Sequence, residues 1–397
     1  MINSSFGGGD PGGMGSISWF ADIYSFFGSK TTYVVSAGND GPATNSVDAP
    51  GSAYNTLTVA ALGNANAFNT VASFSSRGPQ TFSYFSSVAG VVTVPGVRAA
   101  VDIAAPGESL TSAFYGGQTG GNNTTLAGSL DAGTSATAYS DSIAGTSFAA
   151  PIVAGGAALV ASAAKTLAPL ASSTNASQSM VVKALLLTGA DKTSGWSNGQ
   201  VNTTVGGTTF IQTTQSLDWA AGAGRMNLDK TFDIQVNGQT DVTGTTGLLG
   251  TVAHRGWDYG SAILGTNNDY VLGTELTGSS TLTATLSWMR PRSYDSEFFY
   301  EYAQANLGLS VWALDGSNNF TTLIARSESD YNTVEHLSFL LPTTGRYGLR
   351  VEYGSNTFDN TGGQWGSAAF PQTYGLAWSA VPEPATVVLL AAGVVFG

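Results

Sequence analysis

The first half of the chain alternates apolar runs with turn residues in a way that predicts parallel strands and helices. The runs TTYVVSAGNDGP (31–42) and YNTLTVAAL (54–62) are β-rich and lie beside turn residues, so both indicate buried strands. The segment 16–29 has apolar residues at helical spacing. A succession of strands and helices predicts right-handed crossovers and a parallel sheet.

Further along, a loop-rich stretch precedes two helices. Residues 63–144 are predicted to be mostly loop, with one short strand at 101–107. The small-residue segment 148–168 and the apolar segment 177–190 predict helices. These elements together indicate an α/β domain over residues 1–233.

After residue 233 the pattern changes to a period of two. Four segments alternate apolar and polar residues between Gly, Asn and Pro, which predicts strands with one buried face. They are 280–288, 306–314, 334–342 and 345–353. We therefore predict an all-β sandwich or jelly-roll domain over 234–380, followed by a tail over 381–397.

Composition and charge restrict the partners. Only 10% of the residues are charged and the net charge is −12, with 51 glycines and no cysteine. An acidic surface argues against nucleic acid and anionic membranes as partners. The absence of cysteine excludes disulfides and thiolate metal sites. A neutral polar, loop-rich composition is typical of an extracellular or cell-envelope protein.

Candidate chemistry starts at GTSFAAPIVAGG (145–156). Gly145 permits a tight turn, and Ser147 would stand at the N-terminus of the predicted helix 148–168. Unpaired N–H groups at that end would stabilise a negative charge developing beside the serine. Pro151 would lie in or near the first turn, where a missing N–H does least harm. Ser147 is therefore a candidate nucleophile; the alternative is a helix N-cap.

Upstream, VVSAGNDGP places Asn39 just past a buried strand, where its amide could donate to an oxyanion or simply form a turn. Together, this segment and GTSFAAP resemble the subtilisin-like serine proteases, the subtilase or peptidase S8 family. The resemblance extends in the family's order over residues 1–233. Its other segments are INSSFGG (2–8), 46–61, 73–79, 102–107, 181–190 and 222–227.

The resemblance implies a role for each matching residue. Ser147 would be the acyl-accepting nucleophile, and Asn39 would form the oxyanion hole with the backbone N–H of Ser147. A peptide substrate would add as a strand to the backbone of Ser5, Phe6 and Gly7. One of its side chains would enter an S1 pocket whose floor is formed by Ser36, Ala37 and Gly38.

The catalytic base of such a site is missing from the expected position. In this family the chain order is Asp, His, Ser, and the Asp and His motifs normally precede INSSFGG, where this chain begins. Both histidines, His254 and His336, follow Ser147 and are expected to be structural or surface residues. None of the aspartates that precede Ser147 stands in a family-like motif. The aspartates in question are Asp10, Asp22, Asp40, Asp48, Asp102, Asp131 and Asp141. We therefore expect the chain as given to be a fragment with an incomplete α/β domain and no triad activity.

Other parts of the chain leave alternatives open. The segments 68–100 and 115–142 look like insertions that shape the cleft or are loop growth without a role.

The β domain resembles the jelly-roll module that follows some subtilase domains. No cofactor is predicted, and a calcium site has no support at residue level. Four tryptophans either form a carbohydrate platform or, as we expect, pack in the core: Trp288, Trp312, Trp365 and Trp378.

The C-terminal VPEP with the apolar run 385–397 resembles the PEP-CTERM sorting signal of Gram-negative bacteria, the alternative being a hydrophobic strand. The run is shorter than the ~20 residues of a spanning helix. The resemblance implies a secreted or envelope protein and a sorting protease as a partner, without a stable membrane span beyond the tail. Two functions compete with a secreted endopeptidase: a peptide-binding pseudoprotease, and an adhesion or glycan-binding protein.

Overall fold

The computed structural model describes residues 1–86, 88–113, 139–171, 173–239, 249–362 and 371–381. The predicted sorting tail beyond Val381, Trp365 and most of segment 115–142 lie outside the described residues.

Within these ranges, the first part of the chain contains all of the helices and several strands. In chain order they are β1 (Ile2–Ser4), α1 (Ser16–Phe27), β2 (Tyr33–Ser36), β3 (Leu57–Gly63), β4 (Thr70–Val71), β5 (Gln80–Ser86), β6 (Gly90–Arg98), β7 (Ile103–Pro106), β8 (Leu110–Ala113), β9 (Tyr139–Ile143), α2 (Thr146–Thr166), α3 (Ala168–Ala171), α4 (Ser179–Gly189), β10 (Val201–Val205), β11 (Thr208–Gln212) and α5 (Leu228–Val236).

The remaining described residues form strands only. They are β12 (Leu249–Val252), β13 (Arg255–Ala262), β14 (Asn267–Leu272), β15 (Thr281–Trp288), β16 (Arg292–Tyr294), β17 (Phe299–Glu301), β18 (Ala303–Leu314), β19 (Phe320–Ser327), β20 (Val334–Leu340), β21 (Tyr347–Asp359) and β22 (Gln372–Val381).

A five-stranded sheet forms the base of the N-terminal part. Strands β1, β2, β3 and β7 pair in parallel, and the short β4 pairs antiparallel with β3. The parallel pairing predicted from the sequence is confirmed. Helix α2 packs across β2, β3 and β7, with Ala149, Val153 and Ala157 fully buried. Small side chains on this face let the helix approach the sheet closely.

Helix α2 is long and apolar enough to cross a membrane by length and composition. Its burial against the sheet explains the same profile, because a core helix must also be apolar along the face that it buries.

The prediction that residues 63–144 hold one short strand was wrong. Strands β5 and β6 form an antiparallel hairpin within the segment 68–100. Phe82 of β5 is fully buried, and Tyr54 lies against its ring at a centroid distance of 5.7 Å. The alternating pattern of QTFSYFS was obscured by its serines, which suggested a loop.

Among the described residues, the strand-rich part contributes to two larger sheets and to the two-stranded sheet β16–β17. The seven-stranded sheet has the order β10-β11-β19-β18-β21-β14-β12, and the four-stranded sheet has the order β13-β22-β15-β20. One apolar core includes residues of both, such as Leu286 and Trp378 from the smaller sheet and Leu309 and Leu349 from the larger. Two strand segments predicted from the period of two, 280–288 and 306–314, correspond to β15 and β18.

The two parts of the chain share a second core. Every residue of α4 is buried, and the helix packs on β22 and β15. The same apolar cluster includes Leu57 of β3, Leu185 of α4 and Trp257 of β13. The hairpin β10–β11 also crosses between the parts, because β11 pairs in parallel with β19. The parallel sheet and the strand-rich part are therefore joined by a continuous apolar interior.

A buried charge cluster, which we call the arginine clamp, also joins them. Its members are Asp22 of α1, Arg290, Arg292 of β16 and Glu301 of β17, all with fully buried charged groups. Arg292 lies 2.9 Å from Asp22 and 2.6 Å from Glu301, and Arg290 lies 2.5 Å from Glu301. Backbone N–H groups of Tyr54 and Asn55 donate to Asp22. The carboxylates thus retain partners in place of the water that they lose.

Lys192 and His336 form a second polar contact between the parts. The Lys192 Nζ atom lies 2.7 Å from His336 Nε2, and the other ring nitrogen lies 2.8 Å from the Thr285 hydroxyl. Burial lowers the pKa of Lys192 to about 7, with Lys230 acting in the same direction and Asp191 and Asp218 against it. Burial and the neighbouring Lys192 lower the pKa of His336 well below its ordinary value.

This contact predicts that stability rises with pH. Both groups bind a proton more readily in the unfolded chain, so their stabilising contribution is present at high pH and is lost as the pH falls through the folded pKa. For Lys192 the window runs from its ordinary value of 10.5 down to about 7. Urea unfolding between pH 7 and 9 should show a positive slope. One titrating group limits it to about 1.4 kcal/mol per pH unit, and it should be smaller than this limit because Lys192 is only partly buried. The slope should flatten in Lys192→Met; an unchanged slope in that variant would contradict the assignment.

Candidate active site

A turn that requires glycine positions Ser147. Gly145 has φ +152° and ψ 149°, a region that only glycine populates readily. Its N–H donates to Gly107 O at 2.8 Å, and its carbonyl accepts from Phe148 N at 3.0 Å. Helix α2 starts at Thr146, so Ser147 lies within the first turn and Gly145 is the N-cap residue. The N-cap alternative for Ser147 is therefore wrong.

The first turn leaves the backbone of Ser147 available. Its N–H has no intrahelical acceptor, because the first four N–H groups of a helix point out of its end. Pro151 is inside α2, in the second turn rather than the first. Since proline has no N–H, the carbonyl of Ser147 lacks the helical bond that position 151 would otherwise donate.

The glycine turn gives a stability prediction. Gly145→Ala should lower the free energy of unfolding by about 1–3 kcal/mol, because alanine strains this backbone conformation. Steric crowding is not the cause, since the nearest atom to an added Cβ is a Phe148 ring carbon at 3.5 Å. Gly155→Ala in the same helix is the control: nothing lies within 4 Å of its added Cβ, so it should stabilise by about 0.5–1 kcal/mol. Urea denaturation distinguishes them, and equal effects would refute the argument.

Asn39 lies beside this turn. Its side-chain oxygen accepts from the backbone N–H of Thr146 at 2.9 Å and from the Thr146 hydroxyl at 3.0 Å. The threonine hydroxyl in turn accepts from Gly38 N at 3.2 Å. Because the amide oxygen must face these donors, Nδ2 is left as the outward donor of an exposed side chain. The structure thus brings together the amide and the serine that the sequence singled out.

The segment Ser5–Phe6–Gly7 follows β1 and reaches the serine. The Ser147 hydroxyl donates to the backbone carbonyl of Ser5 at 3.1 Å. Phe6 is 58% exposed, and its side chain points away from the core. This contact places the backbone of Ser5 next to Ser147.

The segment Ser36–Ala37–Gly38 leaves the end of β2 on the other side. Ser36 and Ala37 are buried, and Ala37 N donates to Val59 O at 2.9 Å. Gly38 has φ +105°, and a Cβ there would lie 2.7 Å from Asp48 Oδ2 and 2.8 Å from Ser76 Oγ. Glycine is therefore required at this position for both backbone and steric reasons.

The two histidines lie in the strand-rich part of the chain. His336 is fully buried on β20, where it contacts Lys192 and Thr285. His254 is exposed, and its backbone carbonyl accepts from Ala380 N at 2.8 Å. In the ranges that the structure describes, no histidine contacts Ser147. In the same ranges, no group of three or more His, Cys, Asp or Glu side chains is placed to hold a metal ion.

Sequence reasoning missed two residues around the serine. Thr146 links Asn39 to the helix start, and Asp48 lies next to the Gly38 backbone. Burial, the charge of Asp40 and a hydrogen bond with it raise the pKa of Asp48. Thr146 could have been recognised as the middle residue of GTS, whereas only the folded chain shows that Asp48 approaches Gly38.

Comparison with known proteins identifies the N-terminal part. The model of the subtilase family (peptidase S8) matches residues 1–212, which is more than half of the 397-residue chain. No curated protein matches.

Several solved structures are similar to the chain. Sphericase is 24% identical with a TM-score of 0.34, and the match covers 56% of this chain and 55% of that one. The S41 psychrophilic protease is 25% identical with a TM-score of 0.34, covering 57% and 56%. The PatG macrocyclase in complex with peptide is 18% identical with a TM-score of 0.35, covering 59% and 51%. The chain thus spans about half the length of these proteins.

Proposed function

Because the chain belongs to the subtilase family, a family of serine peptidases, we propose that it carries the nucleophile and oxyanion half of a peptide-hydrolysing site. One observation carries the proposal: Asn39 is hydrogen-bonded to the residue that precedes Ser147, while Ser147 itself touches the Ser5 backbone. These contacts support a site in which the proposed nucleophile, oxyanion donor and substrate-binding backbone lie together.

The proposed chemistry is acyl transfer. Ser147 Oγ would attack the carbonyl carbon of a bound peptide and give up its hydroxyl proton. The peptide C–N bond would then break, and the amine would leave with that proton as the acyl-enzyme forms. Asn39 Nδ2 and the Ser147 N–H would donate to the oxyanion. Water would then release the acyl group. Peptides would bind along Ser5–Phe6–Gly7, with one side chain against Ser36–Ala37–Gly38.

The lack of a nearby proton acceptor for Ser147, within the part of the chain that the structure describes, limits this activity. No imidazole lies near Ser147 in the part of the chain that the structure describes, so we propose that the 397 residues alone hydrolyse peptides very slowly. In subtilisin, loss of the catalytic histidine lowers kcat by about 10⁶-fold. The family's Asp and His would have to be supplied from outside these residues.

The test is labelling of Ser147 by a fluorophosphonate, with and without added imidazole. Labelling should be slow, should increase when imidazole supplies a base, and should vanish in Ser147→Ala. Equal labelling of wild type and Ser147→Ala would overturn the role of Ser147. Rapid labelling without imidazole would overturn the missing-base part alone.

A peptide-binding scaffold is the second candidate, and the same missing base favours it. It predicts peptide binding without any labelling of Ser147, even with imidazole. The glycan-binding alternative loses its main support, because Trp288 and Trp378 are buried in the apolar core. The expectation of core packing is confirmed for these two residues.

For the rest of the chain we propose a jelly-roll-like accessory domain and a sorting signal. The two packed sheets with a shared core support the accessory domain. Pro382-Glu383-Pro384 before the apolar run 385–397 supports the signal and, with it, secretion or envelope location in a Gram-negative bacterium through a sorting protease. Mass spectrometry of the mature protein from such a host should find the C-terminus removed; an intact tail would contradict this.

A further inference from the structure

A small cavity lies where the two parts of the chain meet, and none of its lining residues belongs to the proposed peptide site. Its volume is about 20 Å³, which exceeds the ~10–15 Å³ that one water molecule requires. The space therefore suits a water-sized molecule or a monatomic ion rather than a larger ligand. The polar lining comes from both parts of the chain: Tyr54, Arg98, Asp102 and Lys183 from the first, and Asn332 and Thr333 from the segment before β20.

Arg98 brings a positive charge to this cavity and is only 3% exposed. Its two terminal nitrogens donate to backbone carbonyls, Nη1 to Ala53 O at 3.3 Å and Nη2 to Ser52 O at 2.6 Å. The guanidinium also lies 4.2 Å from the centre of the Tyr54 ring. These partners are uncharged, so they satisfy two of the nitrogens without cancelling the charge.

The same guanidinium lacks both a counter-charge and one hydrogen bond. Among the described residues, no aspartate or glutamate forms an ion pair with Arg98, and its buried Nε atom has no hydrogen-bond partner. A guanidinium stays charged in a protein interior. A buried charge and a buried donor without partners both cost free energy, so this side chain favours an additional ligand.

The other two charged residues of the lining cancel each other. Asp102 Oδ1 lies 2.8 Å from Lys183 Nζ, and Asp102 Oδ2 accepts from Thr58 N at 2.8 Å. Lys183 Nζ also donates to Thr56 O at 2.8 Å. These contacts occupy both carboxylate oxygens and use two of the three N–H groups of the ammonium. With two cations against one carboxylate, the lining carries a net positive charge.

We propose that this cavity binds a chloride ion, with the Nε–H of Arg98 as its main donor and the remaining N–H of Lys183 as a second. A water molecule could accept from the same donors but would leave the positive charge uncompensated, and a metal cation would add to it. A monatomic anion meets both requirements in the space available. Because both parts of the chain line the cavity, the bound ion would stabilise the contact between them.

Unfolding of the full chain in two salts tests the proposal. Urea denaturation is followed in sodium chloride and in sodium gluconate at equal ionic strength, because the gluconate anion is too large for the cavity. An ion that binds only the folded chain multiplies the folding equilibrium constant by 1 + [Cl⁻]/Kd. Above Kd, that constant should therefore rise about tenfold for each tenfold rise in chloride, and gluconate should not reproduce the rise.

Two variants assign the chloride effect to the cavity. Arg98→Met should abolish the difference between the two salts. Arg326→Met is the matched control, because it removes the same charge from a partly exposed arginine of β19 that pairs with Glu328 at 3.4 Å; this variant should retain the difference. Equal midpoints of the wild type in both salts would overturn the proposal and leave water as the occupant. A difference that persists in Arg98→Met would overturn it too, since the ion would then act elsewhere.

A crystal of the wild-type chain grown in sodium bromide gives a second readout that needs no variant. Bromide replaces chloride at such sites and scatters anomalously, so a peak is expected in the cavity within hydrogen-bond distance of Arg98 Nε. If Arg98→Met does not fold, this measurement decides the question. A cavity without an anomalous peak would contradict the proposal.

Discussion

Arg292→Met is expected to lower the free energy of unfolding by about 3–5 kcal/mol. The substitution removes the guanidinium that pairs with both carboxylates of the arginine clamp, Asp22 and Glu301. Both carboxylates are buried, and burial already raises the pKa of Asp22. Without the arginine they would be left as poorly compensated charges or would have to bind protons, and either change costs stability.

Chemical denaturation of the full chain measures this effect. Arg255→Met is the matched control, because Arg255 pairs with a half-exposed Asp233 at 3.4 Å; an exposed pair contributes about 0–1 kcal/mol. Similar losses in both variants would show that the clamp contributes no more than a surface ion pair. A single unfolding transition that shifts as a whole in Arg292→Met would show that both parts of the chain unfold together.

Gly375→Ala should destabilise the protein by about 3 kcal/mol, the upper end of the usual range for overpacking. Gly375 lies in β22 where the strand crosses α4. A Cβ there would come within 2.5 Å of the backbone carbon and oxygen of Met180. Backbone atoms of a fully buried helix cannot move aside as the end of a flexible side chain can, so the strand and the helix would have to separate.

Gly308→Ala is the control for this prediction. Gly308 lies inside β18, and the atoms nearest to an added Cβ are 3.9 Å away. The same substitution should therefore be neutral or slightly stabilising there, by up to about 1 kcal/mol. Thermal unfolding of the two variants compares the same chemical change at a crowded and an open position. Equal melting temperatures would refute the close approach of β22 and α4.

Local pattern was enough to predict the elements that carry the proposed site. The strand before Asn39 and the helix after Gly145 are continuous apolar segments bounded by turn residues, and both form at nearly the predicted positions. The error of two residues at the start of α2 matters, because it moves Ser147 from the helix cap into the first turn. Hydrophobic spacing does not report the backbone angles of Gly145, which determine where the helix begins.

Contacts between distant segments could not be predicted in this way. The arginine clamp joins Asp22 to residues 290–301, and Asp48 lies close to the backbone of Gly7 and Gly38. Nothing in the local sequence around Asp22 or Asp48 distinguishes a buried or cleft carboxylate from an exposed one. Such residues acquire their properties from neighbours that only the folded chain brings close.

The hairpin β10–β11 has a consequence for the meaning of the family boundary. The match to the subtilase family ends at residue 212, which is the last residue of β11, yet this strand belongs to the seven-stranded sheet through Ile211 and Gln212 beside β19. The residues that match the family therefore do not complete all of their own strand pairings, because β11 pairs with a strand outside the matched region. A gene cut at the homology boundary would produce one piece with an unpaired hairpin and another with a newly exposed strand edge, and such edges promote aggregation. Transplanting either part into another protein would require moving this hairpin together with the strands that it completes.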